Sequence, residues 1–118
     1  MLLICYPRCG TCKKAEKWLQ ENGIAYDYRD ISVDNPSEDE LREWAAKSGL
    51  PLKRFFNTSG MIYRDMELSK KLPTMTDDEQ FALLATNGML VKRPIALADN
   101  GDVRVGFKET EYAETFLK

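Results

Sequence analysis

The spacing of apolar residues changes along the chain and predicts a strand, a helix and a second strand at its start. Leu2–Cys5 is an unbroken run of apolar or thiol residues, which favours a buried strand. From about Gly10 to Asn22 the apolar residues fall three and four positions apart, which predicts a helix that buries Ala15, Trp18 and Leu19. Residues 25–31 predict a short strand with Tyr26, Tyr28 and Ile31 facing inward. Two strands joined by a helix form a βαβ unit, so we expect the strands to lie parallel.

The middle of the chain carries signals for helix starts. Residues 37–40 and 76–79 have the sequences Ser-Glu-Asp-Glu and Thr-Asp-Asp-Glu, and each predicts a capping box that opens a helix. Gly49 is expected to end the first helix and Asn87-Gly88 the second. Between them the sequence predicts a helical turn over 52–56, a polar loop over 57–60 and a short helix around 66–70. We therefore expect a helical insertion over about residues 37–88.

The last part of the chain predicts a hairpin followed by a helix. Ile95–Ala98 and Val103–Phe107 have strand patterns, and Asp99–Asp102 between them has the composition of a hairpin turn. The final helix is expected to bury Tyr112, Ala113, Phe116 and Leu117. The resulting order, βαβ, a helical segment, then ββα, predicts a single α/β domain over residues 1–118 with a mixed four-stranded sheet.

Composition removes several classes of function. The chain has 118 residues and a formal net charge of −2, which disfavours a broad nucleic-acid surface. It lacks an apolar run long enough for a membrane span, and its first residues do not resemble a signal peptide, so we expect a cytoplasmic protein. With three cysteines and no histidine, catalytic Cys–His pairs, Ser–His–Asp triads and histidine-ligated metals are excluded.

The strongest chemical signal is the motif Cys9-Gly10-Thr11-Cys12, which lies between the first strand and the first helix. The free N–H groups and positive dipole end of a helix start favour a thiolate, and Arg8 adds positive charge nearby, as do Lys13 and Lys14. We therefore expect Cys9 to be the ionised nucleophile and Cys12 to lie where it can close a disulfide with it. A CxxC motif in this position is typical of thioredoxin-like redox proteins.

Metal sites explain the cysteines less well. A structural zinc ion takes four ligands, which three cysteines without histidine do not supply. Cys5, Cys9 and Cys12 also have the CxxxCxxC spacing of radical S-adenosylmethionine enzymes, but those are far larger and usually carry an aromatic residue where Thr11 stands. Because Cys5 falls inside an apolar strand, we interpret it as a small buried hydrophobe. We predict no metal site and no tightly bound cofactor.

Arg93-Pro94 is the second signal. In thioredoxin-like folds a proline at the start of the third strand packs beside the CxxC loop, commonly after a cis peptide bond. In that arrangement Arg93 would lie beside the Cys9 sulfur, where it could lower the thiol pKa or bind an oxyanion. Arg104 alternates with two valines and is interpreted as a solvated residue at the sheet edge. Trp18 and Trp44 lie on apolar helix faces and are interpreted as core residues.

Taken together, these motifs resemble the arsenate reductase (ArsC)/Spx family over nearly the whole chain. The resemblance rests on the CxxC segment at residues 9–15, on Phe56-Asn57-Thr58-Ser59-Gly60, and on Lys92-Arg93-Pro94-Ile95 followed by Val105-Gly106-Phe107. It implies a three-layer thioredoxin-like fold with a helical insertion. It also implies catalysis by Cys9, Cys12 and Arg93, with substrate contacts from Arg8, Gly10, Thr11, Asn57 and Pro94.

The sequence also departs from parts of this family. Arsenate reductases in the family clamp the oxyanion with two further arginines, and the matching positions here look like Asn57 and Gly106. Loss of two cationic donors should weaken arsenate binding severely. Spx regulators share the CxxC and the glycine, but they continue in a basic tail, whereas this sequence stops at Lys118. The Asn-Thr-Ser-Gly loop more closely resembles the short YffB-like branch, whose members have been proposed to be thiol reductases.

Three functions follow from this resemblance. The first, which we favour, is a cytosolic thiol-disulfide oxidoreductase in which Cys9 attacks and Cys12 resolves, with glutathione or a glutaredoxin- or thioredoxin-type protein as reductant. The second is an arsenate or other oxyanion reductase linked to glutathione or glutaredoxin. The third is a redox-sensing regulator that binds RNA polymerase. No direct contact with nucleic acid or with a membrane is expected.

Overall fold

The computed structural model describes residues 1–117 and divides them into two compact units. The first is formed by residues 1–30 with the chain from Arg93 onward, and the second by residues 31–92. The strands and α-helices follow the predicted order: β1 Leu2–Cys5, α1 Gly10–Glu21, β2 Asp27–Asp30, α2 Glu38–Ser48, α3 Met61–Asp65, α4 Leu68–Lys71, α5 Asp77–Leu84, β3 Ile95–Leu97, β4 Val103–Val105 and α6 Glu109–Phe116. No helix of the described residues is long and apolar enough to cross a membrane.

The sheet of the first unit has four strands in the order β2-β1-β3-β4. β1 pairs with β2 in parallel, as the βαβ pattern predicts, while the β1–β3 and β3–β4 pairs are antiparallel. Ile4 lies opposite Ile95, which in turn lies opposite Val105, and all three side chains are buried. The α/β class and the mixed four-stranded sheet predicted from the sequence are therefore confirmed.

An aromatic cluster joins the two helices of the first unit. The Tyr112 ring of α6 makes edge contacts with Trp18 of α1 at 5.9 Å between ring centroids, and with Phe107 at 4.9 Å. Tyr112 is fully buried, and its hydroxyl donates a 3.0 Å hydrogen bond to the carbonyl oxygen of Gly106. This bond and this packing fix α6 to the end of β4.

In the second unit both predicted capping boxes are present. The Ser37 hydroxyl accepts a hydrogen bond from the Glu40 N–H while the Glu40 carboxylate accepts one from the Ser37 N–H, and residues 76–79 repeat the arrangement. Gly49 ends α2 with φ of 68°, a left-handed conformation that glycine adopts without steric cost. Arg42 joins α2 to α5 through a 2.8 Å ion pair with Asp78.

Some predicted elements differ in extent. β2 covers only Asp27–Asp30, and Tyr28 is 41% exposed rather than inward, because β2 lies at the edge of the sheet and, within residues 1–117, pairs with β1 alone. Leu117 is 51% exposed because α6 ends at Phe116. The predicted short helix around 66–70 corresponds to α4, which begins at Leu68, and a further helix, α3, precedes it; between them Glu67 takes a left-handed φ of 52°.

Two further expectations change. α5 ends at Leu84, before Asn87-Gly88, and the Asn87 side chain instead accepts a hydrogen bond from the Met89 N–H and opens a 3-10 turn over Gly88–Leu90. Arg104 is not a free solvated residue. Its side chain donates a 2.8 Å hydrogen bond to the Thr115 hydroxyl of α6 and pairs with Glu114 at 3.5 Å, because α6 packs against β4.

Candidate active site

The CxxC motif lies where β1 turns into α1. Cys9 is the N-cap of α1 in an extended conformation, with φ of −86° and ψ of 119°. Its N–H donates to the Tyr6 carbonyl oxygen at 3.0 Å, and its own carbonyl oxygen accepts from the Lys13 N–H at 3.1 Å. No acidic residue lies in the first helical turn, so nothing there opposes negative charge on a sulfur. The half-buried Cys9 side chain is therefore held at a helix start, as predicted.

Cys12 is buried three residues further on, with 1% of its surface exposed. A hydrogen bond from the Cys5 thiol is the largest influence on the Cys12 pKa and lowers it, although burial acts in the opposite direction. The Tyr6 backbone, the Cys9 thiol and the positive charge of Arg93 lower it further, and together they bring the Cys12 pKa to about 7. Cys12 is thus a buried thiol that ionises near neutral pH.

Cys5, the last residue of β1, is also fully buried. The pKa of its thiol is raised, first by the hydrogen bond to Cys12 and then by burial and the nearby Cys12 charge. The pKa shifts of these two thiols are therefore opposite in direction. All three cysteines are free thiols.

Arg93 precedes Pro94 by a cis peptide bond. Its guanidinium lies over the Tyr6 ring, 5.1 Å from the ring centroid, and its charge lowers the Cys12 pKa. Nε and Nη1 of Arg93 are buried and have no hydrogen-bond partner within residues 1–117. Pro94 is buried, and its carbonyl oxygen accepts a 2.8 Å hydrogen bond from the Gly106 N–H. The site therefore combines thiols with an arginine that can still donate hydrogen bonds.

The other predicted site residues have different positions. Arg8, Gly10 and Thr11 belong to the motif segment and are exposed. Asn57 lies in the second unit, where its N–H donates to the Leu90 carbonyl oxygen at 2.7 Å and its side-chain amide lies 3.4 Å from the Met89 carbonyl oxygen. A substrate-binding role for these four residues stays a prediction, as does the nucleophilic role of Cys9.

Sequence reasoning missed two contributions to the site. The interpretation of Cys5 as a small buried hydrophobe is confirmed, because Cys5 is fully buried in an apolar cluster, but the influence of its thiol on the Cys12 pKa was missed, although the CxxxCxxC spacing was a signal for it. Sequence reasoning also assigned no role to Tyr6, whose backbone contacts Cys12 and whose ring supports Arg93. Among the described residues, no group of three or more cysteine, histidine, aspartate or glutamate side chains is placed to hold a metal ion.

The fold and this site define a thioredoxin-like α/β protein with thiols at the start of its first helix. The ArsC family model matches residues 5–115, and the chain belongs to the ArsC family. It is 51% identical over 111 residues to the uncharacterized protein YusI of Bacillus subtilis, covering 94% of this chain and 93% of YusI. An ArsC family related protein from Bacteroides fragilis has a crystal structure that matches with a TM-score of 0.93 and 55% identity, over 97% of this chain and 95% of that one.

A more distant relative is a regulator. The chain is 29% identical over 105 residues to the global transcriptional regulator Spx of Staphylococcus aureus, covering 89% of this chain and 78% of Spx. The proteins that this chain resembles therefore include a transcriptional regulator as well as an ArsC family related protein.

Proposed function

We propose that this protein is a thiol-disulfide oxidoreductase in which Cys9 is the nucleophile and Cys12 the resolving thiol. The observation that carries the proposal is the pairing of a half-buried cysteine at a helix start with a buried cysteine whose pKa is about 7. Only Cys9 of this pair is open to a bulky substrate. Cys12, with a pKa of about 7, ionises near neutral pH and, because it is buried, can attack only a neighbouring sulfur.

The reaction then proceeds in two exchanges. The Cys9 thiolate attacks one sulfur of a substrate disulfide, so a mixed disulfide forms and the other substrate sulfur leaves as a thiolate. The Cys12 thiolate attacks the Cys9 sulfur, which releases the second substrate thiol and leaves a Cys9–Cys12 disulfide. The substrate has gained two electrons that the dithiol lost. Two thiols of glutathione, or of a glutaredoxin- or thioredoxin-type protein, return them.

The experiment compares Cys9→Ser and Cys12→Ser in the reduction of a small disulfide by glutathione, with intact-mass analysis. We expect Cys9→Ser to lose turnover and Cys12→Ser to accumulate a mixed disulfide at Cys9. Lys17→Ala is the control, because Lys17 is exposed on the same helix and its ion pair with Glu21 is long, at 3.8 Å. Full activity in Cys9→Ser would show that Cys9 is not the nucleophile.

An oxyanion reductase is the second candidate, and the buried, unpartnered Nε and Nη1 of Arg93 favour it. Guanidinium N–H groups without a partner in the described residues suit the oxygens of arsenate. Gly106, however, has φ of 81°, a conformation that an arginine adopts only with strain, so the family's further clamp arginine is not readily accommodated there. Arsenate reduction by the wild type, lost in Arg93→Lys, would favour this function.

The Spx relative supports a third candidate function, a redox-sensing regulator whose oxidised and reduced forms differ in binding to RNA polymerase.

A further inference from the structure

A cavity of about 300 Å³ lies within the second unit and is not used by the proposed thiol reaction. Leu52, Leu72 and Pro73 form its apolar walls, and polar side chains from the 3-10 turn Leu52–Phe55, from α3 and from α5 also line it. Its volume is at the lower end of the range of small-molecule sites, about 300–1,000 Å³. The polar groups on the walls of such a site determine which ligand it accepts.

Two of these polar groups are donors that lack a partner. Lys53 is exposed and, within residues 1–117, forms no ion pair. Tyr63 is only 6% exposed, since its ring packs against Phe56 with 6.2 Å between ring centroids, but its hydroxyl makes no hydrogen bond within the same residues. The fully enclosed side-chain atoms without a partner there belong to Asn35 and Arg93, so the Tyr63 hydroxyl is open to solvent, in the cavity that Tyr63 lines. A hydroxyl in this position on an otherwise buried ring takes its hydrogen bond from water or from a ligand.

Two acceptors come from α5. Asp77 and Gln80 both line the cavity and are three residues apart, so they share one face of this helix. Asp77 is exposed and forms no ion pair in the part of the chain that the structure describes. The Gln80 amide nitrogen donates to the carbonyl oxygens of Leu72 and Met75, both at 3.3 Å, which leaves the amide oxygen as its free group. The α5 wall therefore offers a carboxylate and an amide oxygen, while the donors come from other elements.

We propose that this cavity binds a small zwitterion with an apolar body, of the amino-acid or short-peptide class. The ligand carboxylate accepts hydrogen bonds from Lys53 and Tyr63, its ammonium group donates to Asp77 and Gln80, and its side chain packs on the apolar walls. Lys53 and Asp77 line the same small cavity without pairing with each other. A ligand with a single charge would shield one of these two residues from water without pairing it, which is costly, whereas a zwitterion pairs both. The inference goes beyond the proposed function, since it concerns binding and involves no cysteine.

The first test varies the ligand and leaves the protein unchanged. L-Leucine is titrated into the reduced, isotope-labelled full chain at about pH 7, and binding is followed by NMR chemical shifts. L-Leucinamide keeps the ammonium group without the carboxylate, and N-acetyl-L-leucine keeps the carboxylate without the ammonium group. We expect leucine to bind at least about fivefold more tightly than either, because each analogue leaves one charge of the cavity unpaired. Leucyl-glycine, whose two charges are further apart, distinguishes a peptide from a free amino acid as the ligand.

The second test assigns each charge of the ligand to a residue. Lys53→Met should weaken leucine binding by about fivefold or more without weakening that of leucinamide, and Asp77→Asn should do the same without weakening that of N-acetyl-leucine. Tyr63→Phe should also weaken leucine binding, yet it should change the free energy of unfolding little, because the hydroxyl has no partner in residues 1–117. Lys70→Met and Asp78→Asn are the matched controls, since both residues are exposed and neither lines the cavity, and they should leave all affinities unchanged.

The outcomes separate this inference from its alternatives. If neither leucine nor leucyl-glycine shifts any NMR signal up to its solubility limit, the cavity is not a zwitterion site. The inference also fails if leucinamide or N-acetyl-leucine binds as tightly as leucine, or if the Lys53 and Asp77 variants bind leucine as the wild type does. The comparison of ligands on the wild type needs no variant to fold. Since binding is measured without turnover, leucine binding by a protein that forms no Cys9–Cys12 disulfide would overturn the proposed function alone.

Discussion

Replacing Tyr112 with phenylalanine removes one hydroxyl from a fully buried ring and leaves the aromatic packing in place. The hydroxyl donates a 3.0 Å hydrogen bond to the Gly106 carbonyl oxygen, and Gly106 is itself buried. An unpaired buried acceptor costs about 1–3 kcal/mol. At about pH 8 we expect Tyr112→Phe to lower the free energy of unfolding by that amount, measured by urea denaturation under reducing conditions.

The pH dependence gives the sharper test. Burial is the largest cause that raises the Tyr112 pKa far above its ordinary value of 10.0. Above that value Tyr112 ionises only in the unfolded chain, so its contribution to stability is present below pH 10 and is lost as the pH rises further. The loss is about 1.4 kcal/mol at roughly pH 11. Tyr112→Phe lacks this group, so its stability does not change in this way. The difference in the free energy of unfolding between wild type and variant should therefore narrow by about 1.4 kcal/mol between about pH 8 and pH 11.

Two comparisons make this result interpretable. Tyr26 and Tyr28, whose pKa values are also raised, are present in both proteins, so their ionisation cancels in the difference. Phe116→Leu disturbs the same cluster, since the Phe116 ring lies 5.6 Å from that of Tyr112, but changes no titrating group. The difference in the free energy of unfolding between Phe116→Leu and the wild type should stay constant with pH. If the corresponding difference for Tyr112→Phe is equally constant with pH, the pKa of Tyr112 is not raised by burial and this reasoning is refuted.

Three further changes test the scaffold by chemical denaturation. Ser37→Ala removes an N-cap and should lower the free energy of unfolding by about 1 kcal/mol. Ser69→Ala, at an exposed position within a short helix, is the control and should lower it by less than about 0.5 kcal/mol. Equal losses would contradict the capping role of Ser37. Gly49→Ala places a side chain at φ of 68° and should lower the free energy of unfolding by about 1 kcal/mol. Gly10→Ala, with open space around the new Cβ, is the control and should leave the free energy of unfolding unchanged or raise it. Leu84→Ala empties a fully buried position and should cost about 2–5 kcal/mol, and a loss below about 1 kcal/mol would argue against its burial.

The elements that the sequence predicted well depend on local signals. The capping box at Ser37 and the glycine stop at Gly49 involve residues within one helical turn, so they act in the same way in any surrounding fold. The placement of Cys9 at a helix start follows from the same kind of pattern. The cis bond before Pro94 could be anticipated only through the family resemblance, since an X-Pro dipeptide on its own favours trans.

The features that the sequence did not predict depend on contacts between distant elements. The effect of Cys5 on Cys12 requires the end of β1 to pack against the first turn of α1, and apolar periodicity does not distinguish a hydrogen-bonding thiol from a hydrophobic one. Arg104 was misjudged because its partner Thr115 lies on α6. Tyr28 was placed inside because alternation in a strand does not reveal which strand lies at the edge.

The strand order also bears on when the candidate site can assemble during synthesis. Of the two strands that pair with β1 in the described residues, β2 is close to it in sequence. The other, β3, is distant in sequence, since Leu2 of β1 pairs with Leu97 of β3. The segment 31–92, in contrast, is continuous in the chain and can fold from local contacts as it leaves the ribosome. Cys9 and Cys12 are thus made before Arg93, which joins them only after the intervening residues 13–92 have been translated. A nascent or truncated chain would carry the thiols without their arginine, so the complete chemistry would be confined to chains whose sheet has closed.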